Sequence, residues 1–165
     1  ISRSVLEAAA AWDPRVDPRH DVVVLRHGAL SVDVRLALEP GRSATILRLT
    51  FPDAIAPPFT ARAASGLIPQ IFCYDVAIGD SELDRKLDVQ TFDGPAVGAV
   101  LRGRIRSKLL ALRSRWPWFS LTERSLSIDA GRELTGAETA TMVEELLAFG
   151  ATLFESAPAS VRPYR

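Results

Sequence analysis

Four carboxylates, Asp80, Glu82, Asp84 and Asp88, crowd the stretch from Gly79 to Val89. Several carboxylate oxygens close together are what a hard divalent cation requires. The stretch lacks the glycine at the sixth position and the glutamate at the twelfth that an EF-hand loop uses. Arg85 and Lys86 sit among the acids and would repel a cation. Aspartates at a turn also accept hydrogen bonds from nearby backbone N–H groups. The reading adopted is turn capping with local ion pairs, and no metal is expected.

Arg102, Arg104, Arg106, Lys108, Arg113 and Arg115 follow with no acid among them. At 100° per residue Leu101, Ile105, Leu109 and Leu112 share one helical stripe. Arg102, Arg106 and Arg113 flank it on one side, and Arg104, Lys108 and Arg115 on the other. The remaining face is small: Ala96, Ala99, Gly103, Ser107 and Ser114. Two readings stand. The arginine stems cover the apolar edge of a core helix while their heads stay in water. Alternatively the cations meet an acidic partner or an anionic membrane surface. Trp116, Pro117, Trp118 and Phe119 come next. These aromatics either close the core or set an anchoring tryptophan beside the positive charges. The residues singled out for partner binding are Arg102, Arg106, Arg113, Trp116 and Trp118.

Nothing in the sequence specifies a catalytic residue. His20 and His27 flank a β-rich run, but no spacing places an orienting acid and a nucleophile beside either. There is no G-x-S-x-G, no phosphate-binding glycine loop and no H-E-x-x-H. Cys73 is the single cysteine, so no internal disulfide forms, and its apolar neighbours Ile71, Phe72 and Tyr74 make it an inert core thiol. No cofactor is expected.

The pattern Gly79-Asp80-x-x-Leu83-Asp84-x-x-Leu87-x-Val89, followed by a helix, a hairpin and a second helix, resembles uncharacterised bacterial domains that share G-D-x-x-[F/L]-D-x-x-[F/L]-x-V. In several of them the domain follows membrane-spanning segments. The likeness covers residues 28–155 in layout and about a dozen positions in motif. This chain has Leu83 and Leu87 where phenylalanine is usual. The resemblance implies a bacterial source and an upstream anchor. It implies no activity and no catalytic residues.

The elements that position these residues are legible in outline. Residues 3–12 read as a short helix with Val5, Leu6 and Trp12 as its larger apolar groups. The doubled Asp-Pro-Arg at 13–19 is a connector, because each proline restricts its predecessor to extended backbone. Asp21 to Arg26 is β-rich, and His27-Gly28 is a turn. Leu30, Val32, Val34, Leu36 and Leu38 then alternate with Ser31, Asp33, Arg35 and Ala37, the period of a half-buried strand. Pro40-Gly41 turns the chain into a third strand, Thr45 to Phe51. Pro52 to Pro58 is a loop, Phe59 to Ala64 a fourth strand, and Leu67 to Ile78 another broken at Pro69. Leu83, Leu87 and Val89 lead into a short strand ending near Thr91. Asp93-Gly94-Pro95 opens a helix over 95–115. Trp118 to Leu121 and Ser125 to Ile128 form a hairpin. Thr135 caps a second long helix, with Glu138 completing a capping box, and the apolar stripe runs through Met142, Val143, Leu146, Leu147, Gly150, Leu153 and Phe154.

Strands segregated ahead of helices predict an α+β fold: an antiparallel β-meander, then strand-helix-hairpin-helix, with two long helices on one face of the sheet. The expected organisation is an N-terminal helix and proline-containing connector over 1–20, one domain over 21–156, and a loose tail over 157–165.

The 165 residues carry 20 basic and 20 acidic side chains, so no global field steers the chain to nucleic acid. No run of 18 apolar residues occurs, so no spanning helix is predicted. The first residue is Ile1, which reads as a processed start or a piece of a longer protein. The functional expectation is a non-enzymatic bacterial module that binds another protein or itself, or an anionic membrane surface. It would be cytoplasmic and tethered to the inner membrane by a segment not in this chain. The alternative is a small-ligand-binding or hydrolytic domain with a pocket between meander and helices, using Asp80, Asp84 or His27.

Overall fold

The computed structural model describes residues 22–40, 42–64, 76–116 and 118–156. The expected helix at 3–12, the connector, the core of the 67–78 strand with Cys73, His20 and the tail over 157–165 lie outside the described residues.

The fold is α+β. Strands β1 (Val22–His27), β2 (Leu30–Glu39), β3 (Arg42–Thr50), β4 (Phe59–Ala63), β5 (Leu87–Thr91), β6 (Trp118–Thr122) and β7 (Ser125–Asp129) form one sheet in the order β1-β2-β3-β7-β6-β4-β5. Every pairing is antiparallel. Among the described residues the helices are α1 (Leu83–Lys86), α2 (Gly94–Val100), α3 (Arg104–Arg115) and α4 (Gly136–Ser156). The meander β1-β2-β3 is the one the alternation predicts. The β6–β7 hairpin docks on β3 and joins it to β4.

Register explains the core. Leu25 lies opposite Val32, Val32 opposite Leu49, Leu49 opposite Leu126, and Leu126 opposite Leu121. Residues directly opposite share a face, so these five line one side of the sheet. All are buried, as are Val34, Leu47, Ile128 and Phe119 in the next row. Burying each such side chain stabilises the fold by roughly 1.5–3 kcal/mol. Ile105 and Leu109 of α3, and Met142, Val143, Leu146, Phe149 and Leu153 of α4, join the same core.

The ends of the helices follow local chemistry. The Asp93 side chain accepts from the N–H of Ala96 at 3.0 Å and caps α2, with Pro95 in its first turn. At α4 the capping box forms as expected. Glu138 N–H donates to Thr135 Oγ1 at 3.3 Å, and Thr135 N–H donates to Glu138 Oε2 at 2.9 Å. Arg132 adds a bond to the same carboxylate at 2.6 Å. Thr45, buried in β3, accepts from the N–H of Leu134 at 2.9 Å and anchors the approach to α4.

One expected element differs. The helix over 95–115 is two helices, interrupted by Leu101, Arg102 and Gly103. Gly103 has φ +59° and ψ −127°, a conformation that costs any side-chain-bearing residue. The apolar stripe through Leu101, Ile105 and Leu109 survives, with all three buried, so the hydrophobic period carried no trace of the break. A second, smaller difference is the single helical turn α1, where the sequence suggested a turn running straight into a strand.

Candidate functional site

The acidic stretch closes on itself. Asp80 Oδ1 accepts from the N–H of Glu82 at 3.0 Å and of Leu83 at 3.1 Å, which shapes the entry to α1. Asp84 Oδ1 accepts from the N–H of Ile78 at 2.8 Å. Arg106 then reaches across from α3. Its Nε donates to Asp80 Oδ2, and its Nη2 donates to Glu82 Oε2 at 2.7 Å. Lys86 donates to the other oxygen of Glu82 at 3.0 Å. The Arg106 guanidinium, with the backbone donors behind it, lowers the Asp80 carboxyl to about 2. Lys86 first and Arg106 second hold Glu82 below its usual value, and the two carboxylates raise Arg106. Asp88 is elsewhere, on β5 opposite Arg62. Among the described residues no group of three or more histidine, cysteine, aspartate and glutamate side chains is arranged to hold a metal ion. What the hydrogen bonds of Asp80, Glu82 and Asp84 form is a capped turn with local ion pairs.

The five residues singled out for partner binding are not gathered in one patch. Arg102 is exposed in the turn between α2 and α3. Arg106 is engaged in the clamp on Asp80 and Glu82. Arg113 donates to the backbone carbonyls of Lys86 and Ala64, each at 3.4 Å, and so braces the ends of α1 and β4. Trp116 is buried, and among the described residues its Nε1 has no hydrogen-bond partner. The Arg115 guanidinium lies 5.4 Å from the centre of the Trp116 ring, within cation–π range. Arg115 also grips Glu145 of α4 with bonds of 2.8 and 2.9 Å. The basic helix and the acidic face of the second long helix thus pair within the chain.

Trp118 is 58% exposed. It pairs in register with Asp129, which pairs with Ile46. These residues point away from the core row of Phe119, Ile128 and Leu47, onto the face of the sheet opposite the helices. The Trp118 ring passes so close to Gly131 that a Cβ there would stand 2.3 Å from Cζ3. Across this face the register sets Asp33, Arg48, Ser127, Ser120, Arg62 and Asp88 in one row. Arg35, Arg48 and Arg62 are exposed. Among the described residues no helix lies on this side.

One concave feature lies where the alternative reading put a pocket, between the meander and a helix, with His27 in its lining but neither Asp80 nor Asp84. Between β1 and α4 runs a groove of about 550 Å³. Leu25, Arg26 and His27 form its strand side, and Glu144, Leu147, Ala148 and Ala151 its helix side. The helical positions recur at i, i+3, i+4 and i+7, so they are one stripe of α4. The two alanines in that stripe were the available signal. They thin the helix surface beside an edge strand, but only the topology reveals that β1 is an edge.

No helix among the described residues is long and apolar enough to cross a membrane. No family model matches the chain, and no curated protein matches it. Among solved structures the chain is similar to the crystal structure of the mycobacterial trehalose monomycolate transport factor A, TtfA, with a TM-score of 0.59 and 13% identity over 99% of this chain and 100% of that one. At that identity the likeness is one of fold.

Proposed function

We propose that this chain is a non-enzymatic bacterial interaction or assembly module that binds another protein, working at a membrane surface to which an upstream segment tethers it. The observation that carries the reading is the open face of the sheet. Among the described residues no helix covers it, it bears the exposed Arg35, Arg48 and Arg62, and the half-exposed Trp118 stands on the same side. Aromatic and arginine side chains on such a surface are the usual centre of a protein interface. The chain shares its fold with a protein named as a transport factor, and a module that binds other proteins is compatible with that fold. Exposed Arg102, on the helix side, is a second contact.

The test is a crosslinked pull-down from the source cell at low and high salt, with Trp118→Ser and Arg102→Glu as controls. A partner lost from the variants, and weakened by salt, supports the reading. A partner retained equally by both variants refutes these contacts.

The groove between β1 and α4 favours a second reading, a small-ligand-binding domain. It lies between meander and helices, and His27 lines it. Asp80 and Asp84 are spent on shaping their own loop, which leaves His27 as the polar group of that reading. A native mass spectrum retaining a small ligand would support it.

A further inference from the structure

The strand β1 is the edge of the sheet, and among the described residues nothing pairs with its outer side. Its pairing with β2 is continuous over Val22 to His27, without a bulge. Gly28 and Ala29 make a two-residue hairpin loop with φ +59° at Gly28, the signature of a type II′ turn. In such a turn the closing pair, His27 and Leu30, exchanges hydrogen bonds. Antiparallel pairing then alternates, so Leu25 bonds inward to β2 while the N–H and C=O of Val24 and Arg26 point outward. Edges of this kind are ordinarily blunted by proline, charged side chains or a bulge. β1 has neither proline nor bulge, and its charged group is the exposed Arg26, which sets the sign of what can pair there.

The groove lies against that same edge, on the helix side. An open backbone edge and an apolar slot beneath a helix are the two halves of strand-addition recognition. Main-chain bonds supply affinity, and the slot selects alternate side chains.

We infer that the β1 edge and the β1–α4 groove together form a docking site for an extended segment of another polypeptide, which adds as an eighth strand. The inference rests on the reading of the chain as an interaction module and gives it a specific seat. The segment's chemistry follows from the two faces. Every second side chain enters the slot: it is apolar over Leu25, facing Leu147, Ala148 and Ala151, and polar where His27 and Glu144 line the slot. The interleaved side chains lie on the opposite face, where Val24 is 43% exposed and Arg26 is exposed. The residue directly across from Arg26 is acidic, because opposite charges in cross-strand pairs attract and like charges repel.

The experiment is selection of a displayed library of random dodecapeptides on the folded chain, then titration of the enriched peptides with residue-resolved amide exchange by NMR. The expected sequences alternate apolar residues with at least one acid. On binding, exchange at Val24 and Arg26 slows at least tenfold, whereas Leu25 and His27 are slow throughout. Val24→Pro deletes only an outward-facing donor, so it weakens binding at least tenfold while the far-ultraviolet circular dichroism is unchanged. Ala148→Trp fills the slot from the helix side and does the same without touching the edge. Amides of Val24 and Arg26 that are already slow in the free chain would overturn the inference. So would a library that yields no binder, peptides indifferent to both variants, or helical binders that leave those amides fast. A partner recovered by crosslinking that binds Val24→Pro normally removes this seat and leaves the interaction reading intact. Recovery of no partner at all, with no peptide enriched, removes both.

Discussion

Replacing Gly103 by alanine separates two structures of the same segment by the sign of its effect. Were residues 95–115 one continuous helix, the substitution would stabilise it by about 1 kcal/mol, since glycine is that much worse than alanine in a helix interior. In the structure Gly103 has φ +59° and ψ −127°, between α2 and α3. A Cβ added there meets nothing within 4 Å, so no clash contributes. The cost is that of holding a non-glycine residue in a sparsely populated backbone region, on the order of 1–3 kcal/mol. For a chain of this size each kcal/mol moves Tm by roughly 2–4 °C. The expected result is therefore a fall of about 2–12 °C in a thermal melt followed by circular dichroism. A matching fall in the urea midpoint at unchanged slope would confirm that stability alone has changed. A rise in Tm, or none, would refute the interrupted helix and restore the continuous one.

Two further outcomes follow from the clamp and the cap. Asp80 and Glu138 are each lowered to about 2, from ordinary values of 3.8 and 4.5. A carboxylate depressed in the folded state binds its proton more readily when unfolded. Its stabilisation is full above the ordinary value and is lost as pH falls through about 2. Urea melts between pH 5 and 2 should thus weaken steadily, and Arg106→Gln should flatten the Asp80 part of that slope; an unchanged slope would dismiss the clamp. Thr135→Ala removes one side of the capping box and should cost about 1 kcal/mol, a fall of roughly 2–4 °C in Tm. An unaltered Tm would mean that the box contributes nothing to α4.

The basic helix shows where sequence and structure part company. The spacing of Leu101, Ile105, Leu109 and Leu112 identified a buried stripe, and the structure buries the first three and half-buries the fourth. The same spacing could not say where the cations go. Arg106 meets Asp80 and Glu82 across 26 and 24 residues, and Arg115 meets Glu145 across 30. Those acids were visible, but their proximity depends on how α3 crosses the loop before α1 and on how it packs beside α4. Trp116 and Trp118 are two residues apart and have opposite fates, buried and exposed, because the chain passes from helix to strand between them.

What the sequence determined by itself was local. Alternation at Leu30 to Ala37 made a half-buried strand, Asp93 and Thr135 set helix starts, and the order of elements made the fold α+β. Each follows from backbone chemistry or a short-range period, which neighbouring residues fully specify. Tertiary structure decided the rest. Among the described residues, strand order made β1 an edge and left one face of the sheet without a helix, and helix packing placed a slot beside that edge. These properties belong to pairs of segments far apart in the chain, and no local pattern encodes which segment lies beside which.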